Sequence, residues 1–153
     1  MKQIKQILLA LSMTIFIMGS GTAFSASKGP APEGCAADEL FLSLSTDDTW
    51  RANMALNFAM RNLELGYPVT VFLSVEAVHL ALRKDKYPQN TYGLTGKTAQ
   101  QVIKKLSKKG GRVIVCPNCL KRAGFKPRHL IGNVYLGGPV PQILQCSSKQ
   151  LSF

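Results

Sequence analysis

The sequence predicts a single α/β domain in three layers, a mostly parallel sheet of about five strands with helices packed against it. Three observations predict it. Short, continuously apolar runs recur at residues 40–45, 69–73 and 112–115, the pattern of strands buried on both faces of a parallel sheet. Helical patterns at residues 50–65, 75–84 and 98–109 alternate with these runs, and a strand, a helix and a strand within about 35 residues make a right-handed βαβ unit. The chain has 153 residues, of which 46% are hydrophobic and 18% charged. That length and balance suit one folded domain and exclude a disordered, collagen-like or coiled-coil chain.

The segment at residues 1–25 stands apart from this pattern. Lys2 and Lys5 precede an apolar run at residues 7–18, and small residues follow to Ala26. This is the layout of a secretory signal peptide. The run falls short of the ~20 residues that span a bilayer, so no permanent membrane span is expected. Cleavage is expected within residues 23–26, after Ser25 by the small residue at Ala23. The predicted organisation is a signal at 1–25, a flexible Pro/Gly-rich lead-in at 26–38 and the α/β domain at 39–153. No small-residue lipobox precedes Cys35, which argues against lipidation there. With Lys2 and Lys5 removed, the net charge of +11 falls to +9 over residues 26–153, and that length of chain can bury a real core. The expected location is periplasmic or secreted, an oxidising space.

Each element then has its own reason. Residues 40–45 form a first strand, and the run Thr46-Asp47-Asp48-Thr49 supplies helix-capping side chains. The helix at 50–65 carries apolar residues at 50, 54, 58 and 65, with others at 56, 60 and 63, and is read as burying that broad face. Gly66 and Pro68 end it. Residues 69–73 are a second strand, 75–84 a short helix, and 87–96 a loop rich in Gly, Pro and Asn. In the helix at 98–109, Val102, Ile103 and Leu106 face inward and Lys104, Lys105, Lys108 and Lys109 face water. Residues 112–115 are a third strand and Cys116-Pro117-Asn118-Cys119 opens the next helix. Residues 133–136 and part of 141–153 are read as further short strands.

Charge divides the chain unevenly. All eight acids lie at or before Asp85, and twelve basic residues with no acid follow it. No aromatic-interleaved basic motif accompanies them, so nucleic acid is not expected as a partner. A solvated cationic face or a docking face for an acidic partner is. Opposed faces, −3 over residues 26–85 and +12 over 86–153, also suit a salt-sensitive homo-oligomer.

Four cysteines remain after signal removal: Cys35, Cys116, Cys119 and Cys146. Two disulfides are one reading, with three possible connectivities. Cys116 and Cys119 differ in kind, because their CxxC follows a buried strand and begins a helix. Pro117 suits a first helical position, and Cys116 then sits at the N-cap beside free backbone N–H groups. Such placement can lower a thiol pKa from ~8.5 into the range ~3.5–7.5, and Lys121 and Arg122 add charge of the helpful sign. A thioredoxin-like dithiol has this local layout, but too little chain follows Cys119 before Phe153 for that fold. Zinc bound by Cys116 and Cys119 with Cys146, Cys35 or His129 lacks a second pair at ligand spacing. No metal or cofactor is therefore expected. Gly93-Leu94-Thr95-Gly96-Lys97-Thr98 imitates a phosphate-binding loop with two residues between its glycines where four are needed. His79 and His129 have no evident partner in sequence, and His79 reads as a packed or surface residue.

The chain resembles the DsrE/DsrF-like family of sulfur-relay proteins and their relatives, sometimes labelled predicted peroxiredoxins. The resemblance runs over residues 40–153 and rests on three segments: residues 45–51 leading a helix, residues 66–73, and residues 111–124 around the two cysteines. It implies a flavodoxin-like sandwich, assembly as dimers, trimers or hexamers, and a cysteine at the strand end that holds a persulfide sulfur. Cys116 or Cys119 matches that position. An anionic sulfur donor or an acidic protein is the implied partner. Sulfur relay for tRNA modification is cytoplasmic, whereas this chain begins with an export signal.

Sites in such sheets form beyond the carboxyl ends of strands, where strand order reverses. The loops after residues 40–45 and 112–115 then place Ser45, Asp47 and Asp48 near Cys116. The expected function is sulfur or disulfide transfer through Cys116 and Cys119, with Ser45, Asp47, Asp48, Lys121 and Arg122 around them. The alternatives are a non-catalytic oligomeric binding protein with structural cysteines and a thioredoxin-like oxidoreductase.

Overall fold

Parallel pairing organises the chain. The computed structural model describes residues 38–92 and 95–153. The expected signal, the expected lead-in up to residue 37 with Cys35 in it, and Gly93 and Leu94 lie outside the described residues. Strands β1 (Leu40–Leu44), β2 (Val69–Leu73), β5 (Arg112–Val115), β6 (Tyr135–Leu136) and β7 (Lys149–Ser152) form one sheet in the order β6-β5-β2-β1-β7. Every pairing in it is parallel, from Leu40 against Val69 to Leu73 against Val115. Helix α1 (Thr49–Glu64) makes the first crossover, and α2 (Ala99–Lys108) leads into β5. A short hairpin, β3 (Thr91–Tyr92) with β4 (Lys97–Thr98), sits at the end of the expected loop. The short helices α3 (Pro117–Arg122) and α4 (Val140–Cys146) follow β5 and β6. The fold is the expected α/β sandwich with a mostly parallel five-stranded sheet.

The strand side chains divide by parity. Leu40, Leu42, Leu44, Val69, Val71, Leu73, Val113 and Val115 join one core with α1 and α2. Phe41 and Ile114 face the other way and meet Ile143 of α4, because successive strand residues point to opposite faces. The layers are thus unequal, with the larger core on the α1/α2 side. Each fully buried leucine there contributes roughly 1.5–3 kcal/mol. Helix α2 starts at a capping box, in which the Thr98 hydroxyl accepts from the Gln101 N–H and the Gln101 side chain accepts from the Thr98 N–H. It stops at Gly110, whose φ of +94° suits glycine. A Cβ on the next residue, Gly111, would run into the Leu106 side chain.

Three expectations are revised or sharpened. The buried face of α1 is rotated from the expected one: Ala52, Ala55, Leu56, Ala59 and Met60 are buried, Leu56 and Met60 as expected, while Trp50, Met54, Phe58 and Leu65 are exposed, Trp50 by 68%. Alanines at 52, 55 and 59 let the helix backbone lie close to the sheet, which a stripe of large side chains cannot. The segment 75–84 is a 3₁₀ helix at Val75–Ala81. It is cut off where Leu82 bridges Leu130, with Ile131 N–H donating to the Ala81 carbonyl and Arg83 N–H to the His129 carbonyl, both at 2.8 Å. Of residues 141–153, read as strand in part, Lys149–Ser152 are strand as expected, while Val140–Cys146 form α4, with Pro141 in its first turn and Ile143 and Cys146 buried one turn apart. Only β7 beyond it is extended, and it pairs with β1. Among the described residues, no helix is long and apolar enough to cross a membrane.

Candidate functional site

The carboxyl ends of β2 and β5 lie side by side, and the segments that follow them pack together. Leu73 pairs with Val115, and the Cys116 N–H donates to the Leu73 carbonyl at 2.9 Å. The chain leaving β2 enters the 3₁₀ helix, and the chain leaving β5 enters α3 at Pro117. Cys116 is the N-cap residue of α3, and its sulfur accepts the backbone N–H of Cys119 at 3.3 Å. The Cys119 thiol donates to the same sulfur, with the two Sγ atoms 2.7 Å apart. Both are free thiols, whereas Cys146 is disulfide-bonded.

The two cysteines are unequal. Burial pushes the Cys119 thiol above its ordinary value, and its hydrogen bond to Cys116 pushes the same way; the facing Val75 N–H works against both. Cys119 thus holds its proton more tightly than an ordinary thiol, and it donates to the Cys116 sulfur. Val75 has a φ of +48°, a left-handed conformation that is an outlier for a β-branched residue. That conformation begins the 3₁₀ helix beside Cys119.

A cavity of about 380 Å³ opens here, lined by Val75, Glu76, His79, Cys119, Arg122 and Ala123. His79 supplies the imidazole of that wall. Its Nδ1 lies 2.8 Å from Asp47 Oδ2, and the Tyr87 hydroxyl donates to the same oxygen at 2.7 Å. The Tyr87 ring stacks on the imidazole at a centroid distance of 4.5 Å, and Phe125 meets it edge-on at 5.9 Å. Burial alone would raise the Asp47 pKa, but the bonds to His79 and Tyr87 outweigh it and hold the carboxyl below its usual range. The same bond to Asp47, with burial second, raises the Tyr87 phenol. With Nδ1 facing a carboxylate, the imidazole is fixed with Nε2 as its remaining nitrogen.

The residues expected at the site are dispersed within this arrangement. Cys116 and Cys119 touch, and Arg122 lines the cavity. Lys121 is exposed on α3 outside that lining. Asp47 reaches the cavity wall through His79. Ser45 instead ties down the C-terminus, its hydroxyl donating to the Phe153 carbonyl at 2.9 Å, and its own carbonyl accepts from the Glu76 N–H at 3.2 Å. Asp48 caps α1 by accepting the Arg51 N–H at 2.9 Å. The sequence reading missed His79, Tyr87, Glu76 and Val75. The usable signal was position: all but Tyr87 lie in the segment that leaves the carboxyl end of β2, next to the strand that delivers the cysteines. Among the described residues, no group of three or more His, Cys, Asp or Glu is placed to hold a metal ion.

The model of the DsrE/DsrF-like family matches residues 38–143, from the start of β1 into α4. The chain belongs to this family. Two solved structures share the DsrE-like fold. A crystal structure of the ychN protein from E. coli is 23% identical with a TM-score of 0.61, covering 77% of this chain and 100% of that one. MTH1491, a protein of unknown function from Methanobacterium thermoautotrophicum, is 15% identical with a TM-score of 0.59, covering 75% and 98%. At these identities the likeness speaks for the fold. No curated protein matches the chain significantly.

Proposed function

We propose that this DsrE-like protein takes up sulfane sulfur on Cys116 from a persulfide donor, and that it does so after export to the periplasm. One observation carries the reading: two free thiols in contact, one of them on the wall of a cavity that also holds His79 and Arg122. The family's association with sulfur relay supports it, and the signal-like residues 1–25 support the location. In the step, the Cys116 thiolate attacks the outer sulfur of a donor R–S–S–H. A bond forms between Cys116 Sγ and that sulfur, and the donor's own S–S bond breaks. Its electron pair leaves on the R–S⁻ thiolate, which takes from His79 the proton that His79 accepted when the Cys116 thiol ionised. Cys116 is left as a persulfide with no net oxidation, and the attacking species must be the anion. Arg122 favours an anionic donor at the cavity.

The test is intact mass after exposure to a small-molecule persulfide. The Cys119→Ser protein is expected to gain one sulfur and Cys116→Ser none. A protein whose Cys119→Ser variant stays at its starting mass overturns the reading. Export is tested separately, by sequencing the N-terminus of the protein recovered from a cell fractionation. A mature N-terminus within residues 23–27 in the periplasmic fraction supports it, and a cytoplasmic chain that retains Met1 sinks it.

A further inference from the structure

We infer that the persulfide on Cys116 is not stored but discharged within the same chain, as sulfide, by attack of Cys119. The inference rests on the uptake reading above and deepens it. A carrier that hands sulfur to a partner needs one thiol and a persulfide that survives until docking. Here a second thiol already touches the sulfur that would carry it, 2.7 Å away, and donates its hydrogen toward it. Disulfide formation needs the sulfurs to close to about 2.05 Å. From contact, that closure asks for side-chain movement with no backbone rearrangement. The spacing is fixed by the local fold: Cys116 is the N-cap of α3, Cys119 lies in its first turn, and the Cys119 N–H is bonded to the Cys116 sulfur. A persulfide formed at Cys116 therefore has its resolving group built in.

The balance is complete within the chain and its donor. The Cys119 thiol gives up its proton to His79, which shares the cavity wall with it. The thiolate attacks the inner sulfur, Cys116 Sγ. A Cys119–Cys116 disulfide forms, the bond from Cys116 to the outer sulfur breaks, and its electron pair leaves as HS⁻, which is then protonated. Two thiols are oxidised to a disulfide while the sulfane sulfur is reduced to sulfide. A further round needs an external dithiol to reduce that disulfide. The substrate class is a low-molecular-weight or protein persulfide, and the product is sulfide with the thiol of the donor.

A single-turnover experiment decides it. The reduced full chain is mixed with glutathione persulfide, and trapped sulfide, intact mass and free thiols are followed together. The wild-type chain is expected to release close to one sulfide per chain beyond the protein-free control and to end as a Cys116–Cys119 disulfide without added mass. Cys119→Ser and Cys119→Ala are expected to hold the added sulfur and to release at least tenfold less sulfide. A wild-type chain that keeps a stable one-sulfur adduct and both remaining thiol signatures overturns the discharge while leaving the uptake reading intact. Sulfide release from Cys119→Ser equal to that of the wild type also overturns it. A wild-type chain and a Cys119→Ser chain that neither gain sulfur nor release sulfide overturn the uptake reading itself.

Discussion

Asp47 and His79, distant in sequence, meet at 2.8 Å between Oδ2 and Nδ1. The contact joins the loop after β1 to the 3₁₀ helix after β2, so adjacent strand ends share one polar cluster. Tyr87 closes it by bonding the same carboxylate oxygen. A carboxylate behind an imidazole fixes the ring and its tautomer. The expected consequence concerns rate: His79→Gln slows sulfur uptake by about a hundredfold, the lower end of the range for a positioned acid or base. Stopped-flow measurement on a Cys119→Ser background, where uptake is isolated, checks it. Asp47 and Tyr87 contact the imidazole, and Glu76, Cys119 and Arg122 line the same cavity with it. An unchanged uptake rate would remove His79 from the proposed chemistry.

The same cluster sets an acid limit on stability. Asp47 is held below its ordinary pKa of 3.8. A depressed carboxyl stabilises the fold above its unfolded-state value and loses that contribution as pH falls through the folded value. Replacing Asp47 with Ala removes a charged acceptor of two hydrogen bonds, at a cost of about 1.5–3 kcal/mol near neutrality. Urea unfolding at pH 7 should show this difference, and the gap between wild type and variant should shrink below about pH 3.8. A gap that stays constant down to pH 2 would mean that Asp47 acts there only by packing.

How far the sequence disclosed the molecule depends on what kind of signal each part leaves. The strands at 40–45, 69–73 and 112–115 were legible because continuous apolar runs have few other uses. Cys116 at an N-cap was legible because Pro117 marks a helix start. The inward face of α1 was not. Its alanines carry little hydrophobic signal, yet their smallness is what lets the helix approach the sheet, while Trp50, Met54 and Phe58 look like core and face water. His79 was illegible for another reason: its partner Asp47 sits on the loop after β1, which the parallel β1–β2 register brings beside it, and Tyr87 folds back from the loop after the 3₁₀ helix.

The small residues on the inward face of α1 make a stability test. Ala55 is fully buried between helix and sheet, so Ala55→Leu overpacks the contact and should cost about 1–3 kcal/mol. Trp50→Ala, on the exposed stripe, should stay within about 0.5 kcal/mol of wild type. Leu56→Ala, in the main core, should cost about 2–5 kcal/mol. Chemical denaturation of the three variants ranks them. If Trp50→Ala proves as costly as Leu56→Ala, the stripe is covered in solution.

The unequal thiols give the last test. Cys119 holds its proton more tightly than an ordinary thiol, first because burial disfavours its anion and then because it donates to Cys116. Only the anion reacts with an alkylating agent. In the fully reduced chain, peptide mapping after a brief iodoacetamide pulse near neutral pH should therefore find Cys116 modified ahead of Cys119. In Cys116→Ser the hydrogen bond between sulfurs is gone but burial remains. Its single thiol of the pair should react slowly at neutral pH and accelerate only at alkaline pH, above the midpoint of a model thiol. Cys119→Ser should instead keep Cys116, and at neutral pH it should react faster than Cys116→Ser does. If Cys119 is the faster of the two at neutral pH, the roles assigned here are exchanged: Cys119 becomes the sulfur acceptor and Cys116 its resolving partner.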